Sequence, residues 1–333
     1  MRRQSSTLPL LEVKGLRAGY KTYLGKLKVL NGIDLTVHQG EKVGIIGESG
    51  CGKTTCMRAI LRILATNAIV DGGDIQYRGK DVLKMDHKKL NEMRRKSITM
   101  IFQDPTAALN PVFKVGDLLA DVIRFSGVFE VGKASKKALR KKSIEVLKEV
   151  ALPDPERVLD SYPFQLSGGM RQRICIAMSL STAKDLLIAD EPTTNLDVTI
   201  QDQVLRLMKN LVEKKGLSVI LISHALGTIR STVDRVYVMY AGNVIEIAET
   251  KGLFSNPLHP YTKGLLESVP KLTGAGFSEG IRGRVPDYIN PPPGCRFHPR
   301  CDYAVEICRK ENPPFFDSDT NDHKVACWLY NKR

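Results

Sequence analysis

From residue 41 onward, short β-branched apolar runs alternate with longer stretches whose apolar positions recur at helical spacing. The runs "EKVGIIG", "SITMIF", "DLLIAD" and "LSVILIS" each read as a buried strand that stops at a polar residue or a glycine. Strands buried on both faces lose the polar alternation of half-exposed ones, so this pattern predicts an α/β layered domain around a mainly parallel sheet. Ahead of it, "LLEVKGLRAGY" and "LKVLNGIDLTVHQGE" alternate between glycine turns and predict a small antiparallel sheet at the amino end. Between Gln103 and about residue 161 the strand signal vanishes, and "VGDLLADVIRFSG" and "LRKKSIEVLKEVAL" predict a helical insert. "VYVMYAGNVIEIAE" predicts a hairpin turning at Gly242 and Asn243. "PLHPYTKGLLESVP" predicts one short helix, and the glycine- and proline-rich stretch 272–294 reads as a linker or irregular lobe that bounds the main domain.

The 333 residues suffice for one large domain or two ordinary ones, and 42% hydrophobic content can fill a core. No apolar run approaches the roughly 18 residues of a membrane-spanning helix. The opening "MRRQSSTLPLLEVKG" has basic residues, but Glu12 breaks its apolar patch, which argues against a signal peptide and for a cytoplasmic chain. The net charge of +14 permits binding to nucleic acid or to an anionic membrane and proves neither. Much of it sits in "KASKKALRKKSIEVLKE", where basic residues lie opposite Ala138, Leu139, Ile144, Val146 and Leu147, the pattern of a solvated helix face.

Candidate chemistry begins at "GESGCGKTT", which fits G-x-x-x-x-G-K-[ST] directly after the strand "VGII". Gly47, Gly50 and Gly52 let successive N–H groups converge on one point, and the following helix adds its positive end. Lys53 can reach the outer phosphates and Thr54 can place its hydroxyl on Mg²⁺. The nucleotide-binding set is therefore Gly47, Glu48, Ser49, Gly50, Cys51, Gly52, Lys53, Thr54 and Thr55, and the ligand is a nucleoside triphosphate.

"LLIADE" supplies the complement, an apolar strand ending in Asp190 for Mg²⁺, with Glu191 next to orient or deprotonate the attacking water. Gln103 ends "SITMIF" and His224 ends "LSVILIS", so both are expected on the carboxyl edge of the sheet, where ligands of α/β proteins bind. An amide there can touch Mg²⁺ and the water, and an imidazole can donate to the γ-phosphate. "LSGGMRQR" is a second anion site: Ser167 is a plausible helix cap, Gly168 and Gly169 expose bare N–H groups, and Met170, Ile174 and Met178 follow at helical spacing. Because the first loop already serves one side of a bound nucleotide, this loop suits a nucleotide held by another subunit.

Of seven cysteines, Cys295, Cys301, Cys308 and Cys327 crowd the carboxyl end with spacers of five, six and eighteen residues. From spacing alone a metal site, an iron–sulfur cluster, and plain thiols or disulfides remain open.

Taken in order, "GESGCGKTT", "IFQDP", "LSGGMRQR", "LLIADEPT", "NLD" and "ISH" resemble the nucleotide-binding domain of ABC ATPases over residues 10 to about 250. The resemblance implies a P-loop NTPase of the α/β class with an amino-terminal antiparallel β subdomain and a helical insert at about 104–175. It implies that two such domains sandwich two ATP molecules. It makes Glu191 the catalytic carboxylate, Gln103 the Q-loop residue that senses the transport partner, His224 the switch histidine and Asp197 the signal across the dimer. Tyr20 is similar to the aromatic that stacks on adenine, with Tyr23 as competitor. "QDPTAALNP", "TTNLDVTIQ", "NPLHPYTKGLLESVP" and "GCRFHPRCDYAVEIC" narrow the resemblance to ATPase subunits of dipeptide and oligopeptide importers. Relatives of that branch that import nickel or oligosaccharides remain alternatives. The narrower resemblance implies a [4Fe-4S] cluster on the four cysteines, a cassette at 8–255 and a carboxyl-terminal extension at 256–333. The implied partners are a second cassette, identical or paralogous, two transmembrane permease subunits and an extracytoplasmic substrate-binding protein, with the chain peripheral on the cytoplasmic face of the membrane.

Two departures stand out: Asn195 where alanine is usual and Ala225 where an acidic residue is common. Neither removes a catalytic group, so a hydrolytically competent site is expected. A soluble ABC ATPase acting on nucleic acid is the rival reading; one cassette without a heptad run speaks against it. A regulatory subunit that binds ATP without cleaving it is opposed by Lys53, Asp190, Glu191 and His224.

Overall fold

A computed structural model describes residues 8–127, 129, 134–194, 196–268, 280–318 and 322–331. Asn195, the first seven residues of the opening segment and residues 272–279 of the glycine- and proline-rich stretch lie outside the described residues.

The chain opens with strands β1 (Leu11–Thr22), β2 (Gly25–Val37) and β3 (Lys42–Ile46), then helix α1 (Lys53–Ile60). Next come β4 (Ala68–Tyr77), β5 (Lys80–Asp81), α2 (His87–Lys96) and β6 (Ile98–Ile101). A run of helices follows: α3 (Pro105–Ala108), α4 (Val115–Phe125), α5 (Lys136–Glu149), α6 (Pro155–Asp160) and α7 (Gly168–Thr182). Alternation resumes with β7 (Leu186–Asp190), α8 (Val198–Lys215), β8 (Ser218–Ile222), α9 (Leu226–Thr232), β9 (Arg235–Tyr240) and β10 (Asn243–Glu249). The carboxyl end carries α10 (Thr250–Ser255), α11 (Pro260–Glu267), α12 (Glu306–Lys310), β11 (Phe316–Asp317) and β12 (Lys324–Val325). The chain divides into two units, Met1–Lys84 with Ser223–Arg333, and Met85–Ile222.

In the first unit the amino-terminal strands form an antiparallel sheet in the order β2-β1-β4-β5. Leu11, Val13, Leu16 and Ala18 of β1 are buried there. A second run, β11-β12-β10-β9-β3, is mixed: β9 lies parallel to β3 and antiparallel to β10. The β9–β10 hairpin turns one residue earlier than its sequence predicts. Asn243 already pairs with Tyr240, so the loop is Ala241 and Gly242, at φ 43 and 78. Two successive left-handed residues give a turn whose twist matches the strands. Gly242 is required besides, since a Cβ there would lie 1.8 Å from the Val29 carbonyl oxygen.

In the second unit β8, β7 and β6 run parallel, with Leu186 opposite both Ile98 and Ser218. All five residues of β7 are buried, as an interior parallel strand requires. Helix α4 buries Val115, Leu119 and Ile123, one residue per turn. Helix α5 buries Leu139, Val146 and Leu147 and leaves Ala138 and Ile144 half-buried; its buried Ser143 hydroxyl donates to the Leu139 carbonyl at 2.9 Å. Lys136, Lys137, Arg140 and Lys141 face solvent. Helix α7 departs from its predicted seam: Ile174, Cys175, Ile176, Ala177 and Leu180 are buried, while Met170 and Met178 are only half-buried. The helix packs against α3, α4, α5, α8 and β6, so neighbours on several sides replace a single stripe.

Candidate nucleotide-binding site

The phosphate loop leaves β3 at Ile46 and enters α1 at Lys53. Gly47, Gly50 and Gly52 take φ of 150, 78 and 104. A side chain at Gly47 would bring its Cβ within 2.1 Å of the Met239 carbonyl oxygen, so the chain can pass there only as glycine. Helix α1 has no side-chain cap at Gly52, and its N-terminal end faces the loop as the positive end of the helix dipole. The Lys53 side chain is buried, and its ammonium donates to the carbonyls of Gly47 at 2.8 Å and Glu48 at 3.0 Å. Ser49 is exposed, whereas Thr54 and Thr55 are half-buried. The Cys51 thiol lies 3.8 Å from the Lys53 nitrogen, and burial pushes its pKa up. Tyr20 meets the same helix, its hydroxyl 3.3 Å from that of Thr55, while Tyr23 is 96% exposed.

Three contacts on this loop escape the sequence reading. Arg300 grips the Glu48 carboxylate with both terminal nitrogens, at 2.7 and 3.1 Å. The Glu48 N–H donates to the Tyr261 hydroxyl at 2.8 Å, and the Tyr288 hydroxyl donates to the Gly50 carbonyl at 2.8 Å. All three partners come from beyond β10, two of them from "PLHPYTKGLLESVP" and "GCRFHPRCDYAVEIC". Those motifs were visible, but their attachment point was not.

In the second unit Asp190 ends β7 in full burial, and Glu191 follows it, also buried. Glu191 has φ of 48, an uncommon region for a residue with a side chain. Its N–H donates to the Ile222 carbonyl at 3.0 Å, which fixes the turn. Its Oε2 accepts from the Gln103 amide at 2.7 Å and from the Thr194 hydroxyl at 3.2 Å. Gln103 and Glu191, read separately as Mg²⁺ and water ligands, are therefore direct partners. The Ser167 hydroxyl accepts the Met170 N–H at 3.3 Å, the expected cap, and Gly168 and Gly169 open α7 half-buried. Asp197 is exposed ahead of α8 and its carbonyl accepts the Gln201 N–H at 2.8 Å. In the first unit His224 is exposed beside Ser223, whose hydroxyl accepts the Ala225 N–H at 3.0 Å.

Cys295, Cys301, Cys308 and Cys327 are free thiols that line one cavity with Phe297, Trp328 and Leu329. No disulfide joins them. Burial pushes the Cys295 thiol up to about 11 and that of Cys327 up to about 12. Among the described residues no group of three or more histidines, cysteines or carboxylates has the arrangement of a metal site. His259 shares the cavity wall. Its Nδ1 accepts the Tyr261 N–H at 3.0 Å, which puts the proton on Nε2, and Nε2 is buried without a hydrogen-bond partner.

A family model described as ABC transporter matches residues 30–194, and one described as the C-terminal region of oligopeptide/dipeptide transporters matches residues 245–308. The chain is 45% identical to the dipeptide transport ATP-binding protein DppD of Bacillus subtilis, across 97% of this chain and 96% of that protein. It is 44% identical to the oligopeptide transport ATP-binding protein OppD of the same organism, across 96% of this chain and 88% of that protein. Among solved structures, the ATP-binding cassette MJ0796 in a dimeric post-hydrolysis state with ADP and Pi is 26% identical, with a TM-score of 0.64 over 72% of this chain and 98% of that one. With a phosphate loop of this geometry and near full-length kinship to two peptide-transport proteins, the chain belongs to the ABC transporter ATP-binding proteins, in their dipeptide and oligopeptide branch.

Proposed function

We propose that this ATPase powers the uptake of dipeptides or oligopeptides through two permease subunits supplied by an extracytoplasmic substrate-binding protein. It works peripherally on the cytoplasmic face of the membrane; among the described residues no helix is long and apolar enough to cross a bilayer. Residues 8–255 form the cassette and 256–333 the extension. Each ATP lies between the phosphate loop of one cassette and Ser167, Gly168 and Gly169 of a second.

In this reading the loop N–H groups and Lys53 balance the triphosphate charge, and Tyr20 stacks on adenine. Thr54, Asp190 and Gln103 offer hydroxyl, carboxylate and amide oxygens, a hard donor set that fits Mg²⁺. The ion, when bound, draws negative charge from the phosphate oxygens. Gln103 donates to Glu191 through its amide nitrogen, which keeps its oxygen available as an acceptor. Glu191 orients the attacking water and takes its proton as the water oxygen bonds to the γ-phosphorus and the bond to the bridging oxygen breaks. His224 donates to a γ-phosphate oxygen, and Asp197 signals to the opposite cassette. Closure of the two cassettes on ATP pulls on the permeases through the Gln103 region, and hydrolysis reopens them.

Cys295, Cys301, Cys308 and Cys327 would hold a [4Fe-4S] cluster, whose work is to bind together a lobe poor in core residues. Four soft donors on one cavity and the orphaned His259 Nε2 support that assignment.

The observation that carries the hydrolytic reading is the buried Glu191 carboxylate, fixed by Gln103 at 2.7 Å at the end of β7. The chain reconstituted with its membrane subunits and binding protein should hydrolyse ATP faster when peptide is added. Glu191→Gln should still bind ATP while turning over about 10² to 10⁴ times more slowly, and should accumulate a closed dimer. Turnover like the wild type in that variant removes Glu191 from the role.

A further inference from the structure

The side chain of the second residue of the phosphate loop is held from the cysteine lobe. Arg300, immediately before Cys301, is 5% exposed in its side chain and meets Glu48 as a two-pronged ion pair. Its remaining donors are engaged as well: Nε on the Arg282 carbonyl at 2.7 Å and Nη2 on the Ile281 carbonyl at 3.1 Å. The guanidinium also faces the Tyr240 ring at 5.7 Å, and Tyr240 packs against Tyr261 and Phe297. Tyr261 in turn accepts the Glu48 N–H. Glu48 is thus fixed at its carboxylate and at its backbone, and its own carbonyl receives Lys53. A planar fork that matches a carboxylate fixes direction as well as distance, which a single ammonium cannot do.

We propose that Arg300 is a positioning residue of the ATP site: from the cysteine lobe it fixes Glu48, and through Glu48 the path of the loop that receives the triphosphate. The convergence of the loop N–H groups then depends on a residue 252 positions away in the sequence. This holds whatever the four cysteines carry, so it stands or falls apart from the cluster assignment.

The test is equilibrium binding of Mg-ATP to the full-length chain, with steady-state ATPase of the assembled transporter alongside. Arg300→Gln should weaken binding and raise KM by about tenfold or more, while kcat at saturating ATP changes far less, because the reacting groups are untouched. Arg300→Lys should recover only part of the affinity. The double variant Glu48→Gln with Arg300→Gln should bind better than Arg300→Gln alone, since neither partner then keeps an unpaired charge. A purely structural pair would lower the unfolding temperature and leave the Kd of the folded protein unchanged, and that result overturns the proposal. So does strict additivity of the two single variants. Should Arg300→Gln fail to fold, Arg300→Lys decides: weakened Mg-ATP binding supports the proposal and wild-type affinity ends it.

Discussion

Gln103 donates to the Glu191 carboxylate across 2.7 Å, a contact between residues 88 positions apart that joins the loop after β6 to the end of β7. It gives the carboxylate one fixed orientation and leaves Thr194, at 3.2 Å, as the weaker second donor to the same oxygen. The physical consequence is that any movement of the Gln103 loop is felt at Glu191.

Removing that donor should therefore slow turnover without emptying the site. Gln103→Ala is expected to lower kcat by about tenfold, the worth of a hydrogen bond to a charged group. Steady-state kinetics of the reconstituted transporter checks this; a rise in KM at constant kcat would contradict it.

The Glu191 backbone makes a separate prediction, about stability. At φ of 48 any Cβ is strained. Glu191→Gly and Glu191→Ala both lose the carboxylate and both should lose turnover, but the glycine variant should be more stable by about 1 kcal/mol. Denaturant unfolding of the two side by side is the measurement, and an alanine variant at least as stable as the glycine variant would show that the turn carries no strain.

Thiol chemistry separates the two groups of cysteines. Burial raises Cys56 and Cys175 to about 12, so an alkylating agent at pH 8 should leave both unmodified in the folded chain. With a cluster in place, the carboxyl-terminal cysteines should be protected too, and iron chelation should expose Cys301, which is only partly buried. Mass spectrometry of anaerobically purified protein reads the pattern. A brown chromophore should accompany protection and disappear in Cys301→Ser; equal labelling before and after chelation would remove the cluster.

Consecutive residues fixed what could be read without coordinates. The phosphate loop, its glycines, Lys53 and Thr54, the β7 strand with Asp190 and Glu191, and the Ser167 cap all act within a few residues of one another, so their spacing already states their geometry. The same locality made the strands and the helical run legible, and it failed by one residue at the β9–β10 turn, where the left-handed Ala241 carries no sequence signal. Tertiary structure alone decided the contacts across long separations. It brought Gln103 to Glu191, chose Tyr20 over Tyr23 for the first turn of α1, gathered four thiols and His259 around one cavity, and set Arg300 on Glu48. Periodicity reports which face of an element is apolar and a motif reports which groups stand close along the chain. The partner of a buried polar group is set by how the elements pack, because only packing determines which donor arrives where water has been excluded.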